Sequence, residues 1–226
     1  MLVARATWQP LLRAGSMVMV VVAFAPLAAR AQVLGTWATA TPYAGDEMVA
    51  GGFFLAGEPI GVIAQFRTGI ADKMDVGIQL GVPNFDLAND TVIGIAGDAK
   101  YLILPEKGNF PLDLAVDGAF GYQRTDKLTL VDFDFGGVAS KKFVTSGGKT
   151  LVPYGSLMFA IGHASVDRPK NLPESVKFES SNTDLDVNVR VGLDWPFRPS
   201  YEAMTEINLS SRDETIAISF GLMTRL

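Results

Sequence analysis

The sequence predicts an all-β protein: a closed, antiparallel, up-and-down transmembrane β-barrel of about ten strands, within a range of eight to twelve. Three observations carry this. The first is strict alternation, cleanest in DLDVNVRVGLDW (184–195), where Asp184, Asp186, Asn188, Arg190 and Asp194 interleave with Leu185, Val187, Val189, Val191, Leu193 and Trp195. Neighbouring side chains of a strand point to opposite faces, so this stretch has one polar and one apolar face. The second is recurrence: stretches of this kind, each roughly ten residues long, follow one another with turn signals between them. The third is that the chain after residue 31 shows neither an amphipathic helical period nor an apolar run of the ~18 residues a membrane helix needs.

The chain opens with a leader rather than a strand. Arg5 and Arg13 make a positive start, MVMVVVAFAPLAA (17–29) is a short apolar run, and Ala29-Arg30-Ala31 has the A-x-A form of a cleavage site. The run is too short to cross a bilayer and its flanks are those of a secretory signal peptide, so residues 1–31 are expected to be removed on export. Residues 32–47, with VLGTWATATPY, read as a further strand, a periplasmic lead or an inner plug.

The barrel is expected over 48–226, with Met48 to Ala56 as its first strand. Ile60 to Ile70 sets Ile60, Val62, Ala64, Phe66 and Ile70 against Gln65 and Arg67, and ADK follows as a turn. Met74, Val76, Ile78, Leu80 and Val82 then oppose Asp75, Gly77, Gln79 and Gly81. After PNFDLAND, Thr91 to Leu104 sets Ile93, Ile95, Tyr101 and Ile103 against Asp98 and Lys100. Pro111 to Gln123 sets Leu112, Leu114, Val116, Phe120 and Tyr122 against Asp113, Asp117 and Gln123. Leu128 to Phe143 sets Val131, Phe133 and Phe135 against Asp132 and Asp134. Leu151 to Ser165 alternates less cleanly, and a long polar loop (166–181) leads into 184–195. Tyr201 to Ser210, with Glu202, Glu206 and Asn208 on its polar side, and Glu214 to Leu226 complete the count. Hairpin-sized connections imply an up-and-down meander.

Charge and composition exclude several classes. Removal of the leader takes three Arg from the 19 Lys and Arg, leaving 16 against 24 Asp and Glu, a formal charge of −8. An acidic exported chain lacks the basic patches that nucleic acid requires. With no Cys, disulfides, thiol chemistry and thiolate metal sites are all excluded.

An up-and-down meander must close or leave two sticky edges. The apolar face then meets either a ligand inside a soluble carrier or lipid outside a membrane barrel. Lipid is favoured because strands of this length match the ~9–11 residues that cross a bilayer at a tilt. The apolar positions also run unbroken by charge through mid-strand, where an Arg or Lys would cost about 2–4 kcal/mol. Finally, Phe110, Phe143, Trp195, Phe197 and Tyr201 fall beside alternate turns, as an interfacial aromatic girdle would. An even strand number places both chain ends on the periplasmic side and the longer loops outside.

On these features the chain resembles the bacterial outer-membrane β-barrel proteins, over about 48–226. The last stretch, ETIAISFGLMTRL, carries Ile216, Ile218, Phe220, Leu222 and Leu226 on one face and resembles the C-terminal signal that outer-membrane assembly machinery reads, with Leu226 where that family usually ends in Phe. GIADKMDVGIQLG and GDAKYLIL are similar to phrases in small transporter-like barrels. The resemblance implies a monomer in the Gram-negative outer membrane, with lipid and the assembly machinery as partners.

The polar face is expected to line the lumen: Arg67, Asp75, Gln79, Asp98, Lys100, Asp113, Asp117, Asp132, Asp134, Asp184, Asp186, Asn188, Arg190, Asp194, Glu202 and Glu206. Its acids outnumber its bases, so some must be hydrated, protonated or neutralised by bound cations. Such a face can be a packed core or a water-filled path favouring cations. Asp132-x-Asp134 and Asp184-x-Asp186 lack the loop glycine and terminal glutamate of a calcium-binding hand and read as lumen pairs rather than metal sites. His163 with Ser165 forms H-x-S on one strand face, a spacing that resembles the catalytic pair of outer-membrane lipid A deacylases, with Glu174 or Glu179 as the third member. The expectation is a non-enzymatic, cofactor-free barrel: a narrow passive channel or transporter-like barrel with an acidic, cation-tolerant lumen that could pass small solutes. A closed structural or adhesive barrel acting through external loops, a soluble periplasmic ligand-binding barrel and a deacylase-like hydrolase are the alternatives.

Overall fold

The computed structural model describes residues 37–56, 60–84, 92–107, 110–125, 128–167, 181–211 and 216–226. The expected leader 1–31, residues 32–36 and most of the long loop, with Glu174 and Glu179, lie outside them. The elements are β1 (Met48–Ala56), β2 (Ile60–Ala71), β3 (Met74–Asn84), β4 (Ile93–Leu104), β5 (Asp113–Arg124), β6 (Leu128–Ser140), β7 (Phe143–Val144), β8 (Thr150–Val166), β9 (Ser181–Arg198), β10 (Tyr201–Ser210) and β11 (Ile216–Arg225).

Each long strand pairs antiparallel with the next. β6 reaches past β7 to β8, with Phe135 opposite Phe159, and β11 closes on β1, with Phe220 opposite Phe54. β7 touches only β8, as a short hairpin extension at the rim. The wall is therefore a closed antiparallel barrel of ten strands. Closure removes the free edges that a sheet of this alternating pattern would otherwise expose. The strand expected over 128–143 stops at Ser140, because Lys141 and Lys142 turn the chain into β7. The strand read over 184–195 extends to Ser181–Arg198, drawn out by a long partner in β8.

The two ends of the barrel wall, Met48 at the start of β1 and Leu226 after β11, share one rim, called the near end here; Leu226 N–H donates to Met48 O at 2.9 Å. Register shifts at Gly69/Ala71, Leu102/Leu104 and Tyr201/Glu202 all lie at this end, where bulges commonly finish barrel strands.

The outer face is a continuous apolar belt. Phe120, Phe133, Ile95, Leu80, Val191, Phe220 and Leu222 all point outward, and Phe120 is 53% exposed in mid-strand. The inner face is more mixed than alternation predicts. Phe53, Ile63, Tyr154, Met204 and Met223 point inward beside the charged residues and cluster around Trp37.

Residues 37–47 are neither an added strand nor a lead outside the barrel. Trp37 meets Phe53 of β1, Gln65 of β2 and Ser219 of β11. Ala40 meets Ser140 of β6, Thr41 meets Asp113 of β5, and Tyr43 meets Asp75 of β3 and Glu202 of β10. A segment can touch inward side chains of so many strands around the ring only by lying in the lumen. It has no strand edge left to join, because β1 is already paired on both sides.

Candidate functional site

The lumen divides into a near half, filled by residues 37–44, and a far half that is acidic. In the near half, Arg67 on β2 donates from Nε to Asp75 Oδ1 at 3.1 Å and from Nη2 to Asp98 on β4. Lys100 Nζ lies 3.1 Å from Asp75 Oδ2. All four side chains are buried. The network fits because β3 carries glycine at position 77: a Cβ there would stand 2.5 Å from Asp98 Oδ1 and 3.2 Å from Arg67 Nη1. Buried charges persist only when paired and hydrogen-bonded, and these are both.

The inner segment completes this network. Lys100 Nζ donates to the carbonyls of Thr39 at 2.6 Å and Thr41 at 3.4 Å, and Tyr43 N–H donates to Asp75 Oδ2 at 3.1 Å. Thr41 Oγ1 donates to Asp113 at 2.6 Å. The Tyr43 hydroxyl donates to Glu202 Oε1 at 2.7 Å. Burial first, and the Glu202 carboxylate second, push this phenol well above its ordinary value, so it stays neutral and keeps its proton for the bond. Gln65 Nε2 donates to Trp37 O at 3.2 Å, and Gln65 Oε1 accepts from Gln79 Nε2 at 3.0 Å. Gly69 opens the rim where the segment enters: a Cβ there would collide with the Ala44 carbonyl.

The far half is built from β6 and β9. Asp132 and Asp134 point inward from β6, Asp184 and Asp186 from β9, and Asn188 and Arg190 follow lower on β9. Between these strands β8 presents only Gly162 opposite Asp132 and Asp184, and Ala160 opposite Asp134 and Asp186. Arg190 Nη2 stands 3.4 Å from Asp134 Oδ2. Asp186 accepts from Ser210 at 2.7 Å and Ser211 at 2.8 Å. Deeper in, Glu206 accepts from the Tyr154 hydroxyl at 3.0 Å, and Asp117 and Asp194 are buried on β5 and β9.

Every residue expected to line the lumen thus points inward, though the charges split into two groups rather than forming one ring. The aromatics Phe110, Phe143, Trp195, Phe197 and Tyr201 point outward at the near end. Trp195 meets Phe197 at a tilt of 56°, Phe197 stacks on Tyr201, and Lys149 lies over the Trp195 ring at 5.9 Å. Ile216, Ile218, Phe220 and Leu222 share the outer face of β11, with Leu226 exposed just beyond it. His163 is also on the outer face, toward the far end, where its Nδ1 is 2.8 Å from Thr183 Oγ1. Trp37, Ala40, Tyr43 and the inward apolar residues escaped the sequence reading. The readable signal was the neighbouring pair Phe53-Phe54, which must send one ring to each face.

No known protein family matches the chain, and no curated protein matches it in sequence. Among solved structures, a bacterial polysaccharide outer membrane secretin is similar at TM-score 0.44 and 12% identity over 76% of this chain, which spans 57% of that protein's length. A KdgM porin is similar at TM-score 0.40 and 9% identity, over 78% of this chain and 98% of the other. The β domain of the Bordetella autotransporter BrkA is similar at TM-score 0.44 and 9% identity, over 80% of this chain and all 100% of that one. Likeness at this level carries no functional information.

Proposed function

We propose that the chain is a bacterial outer-membrane barrel enclosing a narrow, cation-preferring pathway that residues 37–44 of its own N-terminal segment hold closed at rest. The observation that carries this is the seat of that segment: its groups bond to inward side chains of β2, β3, β4, β5, β6, β10 and β11. Three of these seven bonds join neutral groups, worth about 0.5–1.5 kcal/mol each, and four engage charged side chains, worth about 1.5–3 kcal/mol each.

The membrane setting is supported by the outer face. A soluble carrier would have to show water the mid-strand rings of Phe120, Phe133, Phe135 and Phe220, a patch far beyond what soluble monomers display. Lipid accepts that face, the near-end aromatics suit its interface, and the outer face of β11 offers assembly machinery an exposed apolar edge. The hydrolase reading has less support, since His163 lies on the outer face and Thr183 engages its ring.

A disulfide latch tests the proposal. Ala40 N–H donates to Ser140 Oγ at 3.0 Å, and the chain has no native Cys to interfere. The Ala40→Cys/Ser140→Cys protein should give cation-selective openings in planar bilayers when reduced, fall silent when oxidised, and recover with reductant. Inserted, reduced protein that never opens would defeat the channel reading. The packed Trp37–Phe53–Met223 core would then favour a permanently closed barrel acting through its far-end loops.

A further inference from the structure

We infer that the near rim between β6 and β10 binds an anionic glycerophospholipid. Lys149 and Arg198 hold its phosphate, with Lys141 and Lys142 beside them, and one acyl chain lies in a furrow on the outer wall along β10. The inference rests on lipid meeting the outer face, as proposed above, and not on ions crossing the barrel.

The first ground is the distribution of charge. Residues 141–153 and 195–201 form the near rim from the end of β6 through β8 and β9 to the start of β10. They carry Lys141, Lys142, Lys149 and Arg198, and no acid. Lys142, Lys149 and Arg198 are exposed and Lys141 is half-buried. None of the four pairs with a carboxylate among the described residues. The acids closest in sequence, Asp194 and Glu202, are buried and point into the lumen. Elsewhere on this rim the described bases have acids at hand. Lys73 follows Asp72, Lys107 follows Glu106, and Arg225 Nη1 lies 2.7 Å from Glu47 Oε1. A chain of formal charge −5 thus shows one wholly basic sector. Bases clustered at a membrane surface attract anionic headgroups, each strengthening binding by roughly fivefold.

These bases also stand at the right depth. Lys141 Nζ lies over the Phe143 ring at 5.6 Å, and Lys149 Nζ over the Trp195 ring at 5.9 Å. Register sets Arg198 opposite Tyr201, whose ring stacks on Phe197. Aromatic rings at strand ends mark the membrane–water interface, so cations resting on them meet the level of lipid phosphates.

The second ground is a furrow that begins at this sector. β10 turns Ala203 and Thr205 outward between Leu193 and Trp195 of β9 on one side and Phe220 and Leu222 of β11 on the other. Small side chains between large ones leave a cavity of about 690 Å³, lined by apolar residues and glycine but for Thr205. That volume is in the range of small-ligand sites, about 300–1,000 Å³. Ala203 lies opposite Trp195 and Thr205 opposite Leu193, so the furrow starts at the basic rim and climbs toward mid-wall. An apolar furrow with cations at its foot fits an acyl chain that ends in a phosphate. A zwitterionic lipid brings the same chain but offsets its phosphate with its own ammonium.

Trp195 reports the site. Without the leader, the Trp37→Phe protein emits from Trp195 alone. In phosphatidylcholine vesicles, rising fractions of phosphatidylglycerol with brominated acyl chains should quench it more than brominated phosphatidylcholine does, by roughly threefold or more in relative affinity. Lys149→Gln/Arg198→Gln in this background should bring the two lipids to parity. Lys73→Gln, in the exposed β2–β3 turn, should keep the preference. Comparing the two lipids within each protein cancels any direct effect of Lys149 on the indole. Glycerol 3-phosphate should act no differently from sodium chloride of equal ionic strength, because it lacks the chain. If it alone abolishes the preference, the site takes soluble phosphate and the lipid assignment fails. Circular dichroism and heat-dependent gel mobility report folding; if the double variant does not fold, Lys149→Gln is read in its place and should lower the preference. Equal quenching by the two lipids, or a preference undiminished in the folded variant, overturns the inference while lipid on the outer face stands. No quenching by either lipid defeats the membrane reading and the inference together.

Discussion

Trp37 stacks on Phe53 with ring centroids 4.5 Å apart and an interplanar angle of 14°, and its indole Nε1 donates to Ser219 Oγ at 2.7 Å. The two residues belong to different parts of the molecule: Phe53 is in the wall, on β1, and Trp37 is in the segment that fills it. Burying both rings and satisfying the one polar atom between them anchors the inner segment halfway up the lumen. Gly221 makes this possible from the other side, because a Cβ there would overlap the Phe53 ring.

Without the leader, the chain keeps two tryptophans, Trp37 in the lumen and Trp195 on the outer belt. In vesicles of lipid with brominated acyl chains, the Trp195→Phe protein should retain nearly all its fluorescence. The Trp37→Phe protein, emitting from Trp195 alone, should be strongly quenched. Equal quenching of both would mean that Trp37 is not inside the barrel.

Removing the anchor should loosen the fold. Trp37→Ala deletes the stacked ring and the bond to Ser219, and large aromatic truncations in cores cost about 3–5 kcal/mol. The midpoint of urea unfolding in vesicles should fall accordingly, and protease should cut the inner segment faster in the variant than in the parent.

Arg67 ties β2 to β3 and β4 through Asp75 and Asp98. Arg67→Ala leaves both carboxylates buried beside Lys100 alone, and breaking one partner out of a buried network costs about 3–5 kcal/mol. Replacing Arg67 and Asp98 together, by Met and Leu, should cost much less than the single change. Unfolding free energies of the two variants decide it.

Two glycines separate crowding from chain freedom. Gly221→Ala should cost about 1–3 kcal/mol through overlap with Phe53. Gly97→Ala, whose Cβ would sit 3.6 Å from the nearest atom at Gly77 O, should stay within about 0.5 kcal/mol of the parent.

The belt predicts its own sensitivity. Phe120→Arg, in the middle of the outer face of β5, should cost about 2–4 kcal/mol in a bilayer. Gln123→Asn, inward on the same strand, conserves the polar side and should cost less. Equal costs would argue against lipid on the outer face.

The sequence by itself determined the wall. Alternation of polar and apolar residues is a property of single strands, so Asp184 to Trp195 declared its two faces with no knowledge of its neighbours. Nearest-neighbour pairing follows from short turns, and closure follows from the cost of free edges. The same local rule sent Arg67, Asp98, Asp132 and Arg190 inward and Phe120 and Phe220 outward. Tertiary structure alone decided what fills the barrel. Residues 37–47 carry no period of two, because their partners are inward side chains from all around the ring, brought together only once the ring has closed. That Phe53, Met204 and Met223 pack inward, that Arg67 meets Asp75 and Asp98 while Asp132 meets no donor among the described residues, and that Gly121 and Gly162 flank that acid are consequences of strand register. Register is set by pairing between segments distant in the chain, and alternation within any one of them is blind to it.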